Sequence, residues 1–300
     1  MLTFYKYHGA GNDFVVIDNR LNLFDKTDIK LVKKICHRRF GVGADGILLL
    51  ENSKVLSQTT CHSEASNAEE SFGINGKILL RQLADQDDKN NEIRSEAYDF
   101  EMVYINSDGS YGAMCGNGGR CIVAFADSLG ILKDLKNINF KVVDTVYQAQ
   151  IINGQVRLKM QDVSAITQRN GLPFLYSGST PHQVIMVKDL DTFPVVEQGR
   201  KIRYGDKDLR GVNVNYVEQK DGLFQVRTYE RGVEDETLAC GTGATSVAIY
   251  LASQNLLKEN KATIVMPGGT LKVSFERNSN GSYENIWLEG PVVCVYEGRV

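Results

Sequence analysis

Nowhere in the chain do about 18 apolar residues stand together, the minimum run for an α-helical membrane span. The first residues, Met1 to Lys6, lack a long apolar run followed by a small-residue cleavage site, so no signal peptide is expected. Neither sign of charge dominates. A formal net charge of -3 gives no electrostatic reason to expect a nucleic acid or an acidic membrane as partner. Histidines number four. Cys36-His37 and Cys61-His62 lack a second close ligand pair, so no metal site is expected. Gly41-Val42-Gly43 does not continue into Gly-x-Gly-x-x-Gly, and no phosphate-loop lysine follows, so ordinary turn geometry explains that run. The six cysteines (Cys36, Cys61, Cys115, Cys121, Cys240 and Cys294) are scattered through a chain too long and apolar to need stapling. Reduced thiols in the cytoplasm are the expectation.

What is present is a repeated design. Met114-Cys115-Gly116-Asn117-Gly118-Gly119 and Ala239-Cys240-Gly241-Thr242-Gly243-Ala244 both read small or apolar residue, Cys, Gly, polar, Gly, small. Helical patterns follow, Cys121 to Leu129 and Ser246 to Leu257. A cysteine at a helix start meets free N–H groups and the positive end of the helix dipole, which favours thiolate. The glycines let backbone donors approach a small anion. Cys36, Cys121 and Cys294 lie in apolar patterns and read as core.

The order of elements also repeats. Strands are expected at Phe14–Ile17, Ile47–Leu50 and Phe100–Ile105, with a helix over Asp28–Arg39. Val184–Asp189, Leu209–Asn215 and Val226–Arg231 replay them before Cys240. Gly41 to Cys115 spans 115 − 41 = 74 residues and Gly211 to Cys240 spans 240 − 211 = 29. The surplus, 74 − 29 = 45, matches a polar stretch near 52–95 that holds one possible helix around Lys77–Leu83. Late strands are expected at Ala262–Met266, Thr270–Phe275 and Ile286–Leu288, with Val292–Tyr296 returning to the first half. With 300 residues, 42% of them hydrophobic and 24% charged, a soluble α+β protein of two pseudo-symmetric lobes is expected. Each lobe is a curved, mostly antiparallel sheet around a central helix. The first comprises 1–159, with the insertion and a closing strand from 286–300; the second comprises 160–285.

Two matched thiols suit inversion at an α-carbon: one removes a proton from one face and the other returns one to the opposite face. Glu230-Arg231, ten residues before Cys240, reads either as a solvated pair or as a clamp for ammonium and carboxylate. His182, after Pro181, reads either as a loop histidine or as a participant.

In these blocks, together with His8–Phe14, Gly41–Gly46, Asn106–Ser110, Gly211–Asn215 and Tyr229–Gly232, the sequence resembles the diaminopimelate epimerase family. The resemblance implies a cofactor-independent enzyme that interconverts LL- and meso-2,6-diaminopimelate for lysine and cell-wall synthesis. It implies Cys115 and Cys240 as the catalytic pair. Asn12, Asn106, Gly116, Asn117, Asn213, Glu230, Arg231, Gly241 and Thr242 match substrate contacts, and His182 and Thr180 match supporting positions. A homodimer is a further possibility. There are three departures: Thr180 stands where Asn usually precedes Pro-His, Gly232–Thr237 is one residue longer with Glu234-Asp235 in place of a glycine, and the insertion has no counterpart. A racemase of another amino acid, a non-catalytic amino-acid-binding protein and a cysteine hydrolase are the rival readings.

Overall fold

The computed structural model describes residues 1–53, 98–205 and 211–300. The expected helix at 77–83, Cys61, most of the insertion, and Leu209-Arg210 lie outside them. The first half runs β1 (Thr3–Gly9), β2 (Asn12–Asp18), α1 (Ile29–Cys36), β3 (Gly46–Asn52), β4 (Phe100–Asn106), α2 (Gly116–Ser128), β5 (Ile138–Val142), β6 (Thr145–Ile152) and β7 (Gln155–Lys159). The second runs β8 (Thr167–Arg169), β9 (Leu172–Ser177), β10 (Thr180–Met186), α3 (Val195–Gly205), β11 (Asn213–Lys220), β12 (Leu223–Glu230), β13 (Asp235–Thr237) and α4 (Gly241–Ser253). It continues through β14 (Lys261–Met266), β15 (Gly269–Arg277), β16 (Tyr283–Glu289) and β17 (Val293–Arg299).

Strand pairing carries the repeat that the sequence suggests. In the first half β1–β2 is antiparallel, β2–β3 parallel, β3–β4 antiparallel and β4–β5 parallel, and β5–β6–β7 is antiparallel. The second half repeats those senses in order through β9–β10, β10–β11, β11–β12, β12–β14 and β14–β15–β16. Antiparallel β7–β16 pairing joins the two. β8 lies antiparallel on β9, and β17 lies antiparallel on β1. Most pairs are antiparallel, as expected; the parallel ones each need a crossover, which α1 and α2, then α3 and α4, supply.

β2 and β3 are buried on both faces. Phe14, Val16, Leu48 and Leu50 pack toward α2 with Ile122, Val123, Phe125 and Ala126. Their alternates Val15, Ile17, Ile47 and Leu49 pack with Val32 and Ile35 of α1. That is why Ile47–Leu50 is continuously apolar rather than alternating. In the second half, α4 sits in an equivalent core with Val184, Val226, Ile264 and Leu288, while Val214 and Tyr216 face outward with Val195 of α3.

Several expectations shift. The two central helices begin five residues before their apolar patterns, at Gly116 and Gly241, because their first turns are glycine and polar. α4 stops at Ser253, and Asn255 then turns left-handed at φ 55°, so Leu257 is not helical. α1 ends at Cys36 rather than Arg39. Cys36 and Cys121 are buried as expected, but Cys294 is exposed on β17, where the apolar run faces outward instead of filling a core. β3 and β4 pair through to Asn52 opposite Phe100, so the chain leaves and re-enters this hairpin at neighbouring positions.

Phe125 is fully buried on α2, with its ring 5.0 Å from that of Tyr5 and 6.0 Å from that of Tyr7. Phe125→Ala should therefore destabilise the protein by about 3–5 kcal/mol, read as a lower urea midpoint at unchanged slope.

Candidate active site

The cysteines cap the central helices. Cys115 is the N-cap of α2 with φ -109° and ψ 122°; Cys240 is the N-cap of α4 with φ -121° and ψ 113°. The first residues of the two helices nearly touch. A Cβ on Gly116 would lie 3.9 Å from the Gly241 Cα, and one on Gly241 would lie 3.8 Å from the Gly116 Cα. Two helix N-termini, with their free N–H groups, thus meet on one cleft of about 1010 Å³.

That cleft is lined by both cysteines and by Gly116, Asn117, Gly241 and Thr242 of the two helix starts. Asn12 and Thr180, the first residues of β2 and β10, also line it. So do Asn106 and Glu230, the last residues of β4 and β12, with Asn213 and Arg231. The two halves therefore contribute from matching places. His182 is the exception: it is fully buried behind the cleft wall, with Nδ1 3.2 Å from the Asn215 Nδ2 and Nε2 without a hydrogen-bond partner among the described residues.

Hydrogen bonding treats the thiols differently. The Cys115 Sγ donates to the Asn12 Oδ1 at 3.5 Å. The Cys240 Sγ accepts from the Gly243 backbone N–H at 3.4 Å and from the Asn213 Nδ2 at 3.8 Å, and lies 3.4 Å from the Thr242 Oγ1. The helix-start argument alone predicts depressed thiol pKa values. The opposite holds: burial pushes both thiols up, and Glu230 adds to that effect at both. The N–H groups of Gly118 and Asn117 at Cys115, and of Gly243 at Cys240, act in the expected direction but are outweighed. Glu230 is itself raised by burial, against the hydrogen bonds from Thr237 and Cys240. Its side chain accepts from the Thr237 Oγ1 at 2.9 Å, so it is no solvated partner of Arg231.

Residues that the sequence did not single out hold the first half of the site. Asp45 accepts from the Asn12 Nδ2 at 2.6 Å, which turns the Asn12 Oδ1 toward Cys115. Arg38 bridges Asp13 at 2.7 Å and Asp45 at 2.6 Å, and Lys6 reaches Asp13 from beneath. Burial opposes ionisation of Asp13, but the hydrogen bonds from Arg38 and Lys6 prevail and hold it at about 2. Asp13 and Asp45 sit in the two glycine blocks, where they read only as turn residues. Tyr104 also lines the cleft, its phenol held protonated by burial and by Cys115.

The longer loop before Cys240 has a definite geometry. Glu234, in place of a glycine, adopts φ 59°, the left-handed region that L side chains avoid. Its carboxylate offsets this by accepting from the Tyr204 and Tyr229 hydroxyls, each at 2.9 Å, and from the Gly232 N–H at 3.1 Å. The Arg203 guanidinium adds an ion pair at 3.3 Å. Arg231 is anchored by its backbone N–H to the Asn213 Oδ1 at 2.8 Å.

A family model described as diaminopimelate epimerase matches residues 4–75 and 174–295. The chain is similar to a diaminopimelate epimerase of Flavobacterium psychrophilum, 40% identical over 299 residues and 99% of each chain. It is also similar to one of Chlorobaculum tepidum, 39% identical over 97% of this chain and 98% of that one. These alignments extend across the Cys115 region, which the family model leaves out. Among solved structures, a Bacillus anthracis phenazine biosynthesis protein superposes with TM-score 0.66 at 14% identity, covering 100% of this chain and 98% of that one. An Agrobacterium vitis hydroxyproline epimerase with bound trans-4-hydroxy-L-proline gives 0.59 at 13% identity, covering 99% and 91%. Those two show the fold.

His182 yields a pH prediction. Burial, with Arg231 adding to it, lowers its pKa from 6.5 to about 3. Above pH 6.5 the ring is neutral both folded and unfolded. Below that, only the unfolded chain takes up the proton, so stability falls as pH drops from 6.5 toward 3. Between pH 7 and pH 5 the loss from this group should be about 2 kcal/mol at 1.36 kcal/mol per pH unit. His182→Gln should flatten that part of the stability profile, measured by urea unfolding at each pH.

Proposed function

Since this chain belongs to the diaminopimelate epimerase family, we propose that it is an isomerase interconverting LL- and meso-2,6-diaminopimelate, a step toward lysine and peptidoglycan precursors, without a cofactor. The observation that carries the reading is the meeting of two cysteine-capped helix starts at one cleft. One sulfur, as thiolate, takes the α-proton. The other, as thiol, gives its proton to the opposite face of the carbon. Each turnover leaves the two sulfurs with exchanged protonation states, so the reverse reaction uses the same pair. Negative charge developing on the substrate carboxylate is met by the N–H groups of α2 and α4, whose orientation is fixed before substrate arrives. Burial that raises both thiols fits this use. A base of high pKa in a dry site is strong once formed, and the carbon acid it must deprotonate is very weak.

Asn12, Asn106, Asn117, Asn213 and Thr242 are proposed to hold the amino-acid groups. Arg231 is assigned to the distal carboxylate and Glu230 to an ammonium. Thr180 contributes a hydroxyl where the family has an amide, and His182 supports Asn215 from behind. A racemase of another amino acid is the second reading, favoured by Thr180 and by the Glu234 loop. The lobes are read as 1–159, closed by 286–300, and 160–285, with the substrate between them. The chemistry needs both thiols reduced, which fits the cytoplasm.

Exchange of the α-proton in D2O, screened over diaminopimelate stereoisomers, proline, hydroxyproline and histidine, separates the readings. Diaminopimelate should exchange and the others should not. Cys115→Ser and Cys240→Ser should each cut turnover by roughly 10²–10⁴-fold. Retained exchange in both variants sinks the catalytic assignment and leaves a binding protein.

A homodimer is also proposed. β17 pairs on one side with β1, and Val293, Val295 and Tyr296 stand exposed along it, an edge suited to a second copy. Sedimentation should give a dimer that Val295→Lys with Tyr296→Lys converts to monomer; an unchanged mass rules out this edge.

A further inference from the structure

Arg120 lies five residues after Cys115, fully buried within the first turns of α2. A charge taken wholly out of water is expensive unless an opposite charge compensates it. No carboxylate pairs with Arg120 among the described residues. Its Nη1 donates to the Gly116 carbonyl at 3.1 Å and its Nη2 to the Asn117 Oδ1 at 2.8 Å, while Nε is left without a partner. The backbone at Gly290 comes so close that a Cβ there would lie 3.0 Å from the guanidinium carbon.

Two consequences follow from the geometry. A guanidinium has donors only, so it can face only the oxygen of the Asn117 amide. The Asn117 NH2 must then point the other way, where it donates to the Ala239 carbonyl at 3.2 Å and to the Asn12 Oδ1 at 3.4 Å. Ala239 is the residue before Cys240, so this amide ties one cysteine motif to the other. Secondly, the equivalent place in the other motif, also five residues after its cysteine, is Thr245. Its Oγ1 donates to the Gly241 carbonyl at 3.0 Å. The same helix-start carbonyl is met by a cation in one half and by a neutral hydroxyl in the other.

We infer that Arg120 is a positioning residue for the first thiol. Its guanidinium locks Asn117 across the two cysteine motifs and supplies the positive charge against which negative charge on Cys115 forms. The inference rests on the reading that Cys115 exchanges a proton during turnover. The groups facing Cys115, besides Arg120, are Asn12 of β2, Tyr104 of β4, Glu230 of β12, Cys121 of α2, Cys240, and the N–H groups of Asn117 and Gly118. Burial opposes a thiolate there, with Glu230 as anion and Asn12 as acceptor; the Gly118 and Asn117 N–H groups favour it, and the Arg120 charge adds to them. Arg38 and Arg231 line the same cleft; the Arg38 guanidinium is paired with Asp13 and Asp45, and Arg231 is fixed through its backbone N–H on the Asn213 Oδ1.

The test needs no substrate. In a Cys240→Ser background, alkylation of Cys115 by iodoacetamide is followed by mass spectrometry across pH. Arg120→Met should slow it about tenfold at pH 8 and move its midpoint up by about one unit, while Arg120→Lys should stay within about threefold of the parent. With Cys240 restored, kcat should fall in Arg120→Met by a larger factor than KM rises, because freeing Asn117 also weakens the substrate contact. An alkylation profile in Arg120→Met that overlaps the parent, or one in Arg120→Lys as slow as in Arg120→Met, overturns the inference. Should Arg120→Met fail to unfold cooperatively, Arg120→Gln takes its place. It keeps a donor without the charge, and a parent-like profile there overturns the electrostatic role. If the shift appears but the parent enzyme exchanges no α-proton of diaminopimelate, the functional reading fails and the effect of Arg120 on Cys115 stands.

Discussion

The contact on which the rest depends is backbone against backbone, Gly116 beside Gly241. Two helices aim their positive ends at one another, which is electrostatically unfavourable in the absence of an anion. The surrounding fold enforces it. Each helix is clamped on all sides by apolar strands, and β7–β16 pairing locks the two half-sheets together at the level of the helix starts. The approach directs the free N–H groups of both helix starts at one point of the cleft, a place that favours negative charge. A Cβ at Gly241 would meet the Leu288 Cδ2 at 2.8 Å, so that buried side chain would have to shift to admit it.

The cysteines sit where two opposing influences meet. Helix termini favour thiolate and the dry apolar shell favours thiol. Burial prevails at both sulfurs, helped by Glu230. A thiol kept protonated by burial reacts slowly with electrophiles, because the thiolate is the nucleophile. The Asp45–Asn12 and Thr237–Glu230 hydrogen bonds fix the polar rim.

Much of this was legible in residue order because the same grammar occurs twice. Cys-Gly-polar-Gly marked both helix starts, and the continuous run Ile47–Leu50 marked a strand covered on both faces. Other elements were hidden for identifiable reasons. β1 buries Lys6 against Asp13 and carries a register shift between Lys6 and Tyr7, which spoils its alternation. α3 buries only Val195 and Gly199, too little for a readable stripe. The salt-bridged support around Asn12 depends on residues 7 to 33 positions apart that only the sheet brings together, so no local motif announces it. Cys294 misled because an apolar strand on an open edge has the same composition as one in a core.

The β1–β17 pairing has a temporal meaning. Leu2 and Val300 exchange backbone hydrogen bonds at 2.8 and 3.0 Å, so β1 is sealed by a strand synthesised long after it. During synthesis the N-terminal half emerges with a strand edge uncovered, and it stays so until residues 293–299 follow. Until then β1 presents an unpaired row of backbone N–H and C=O groups, the kind of edge on which another chain can add.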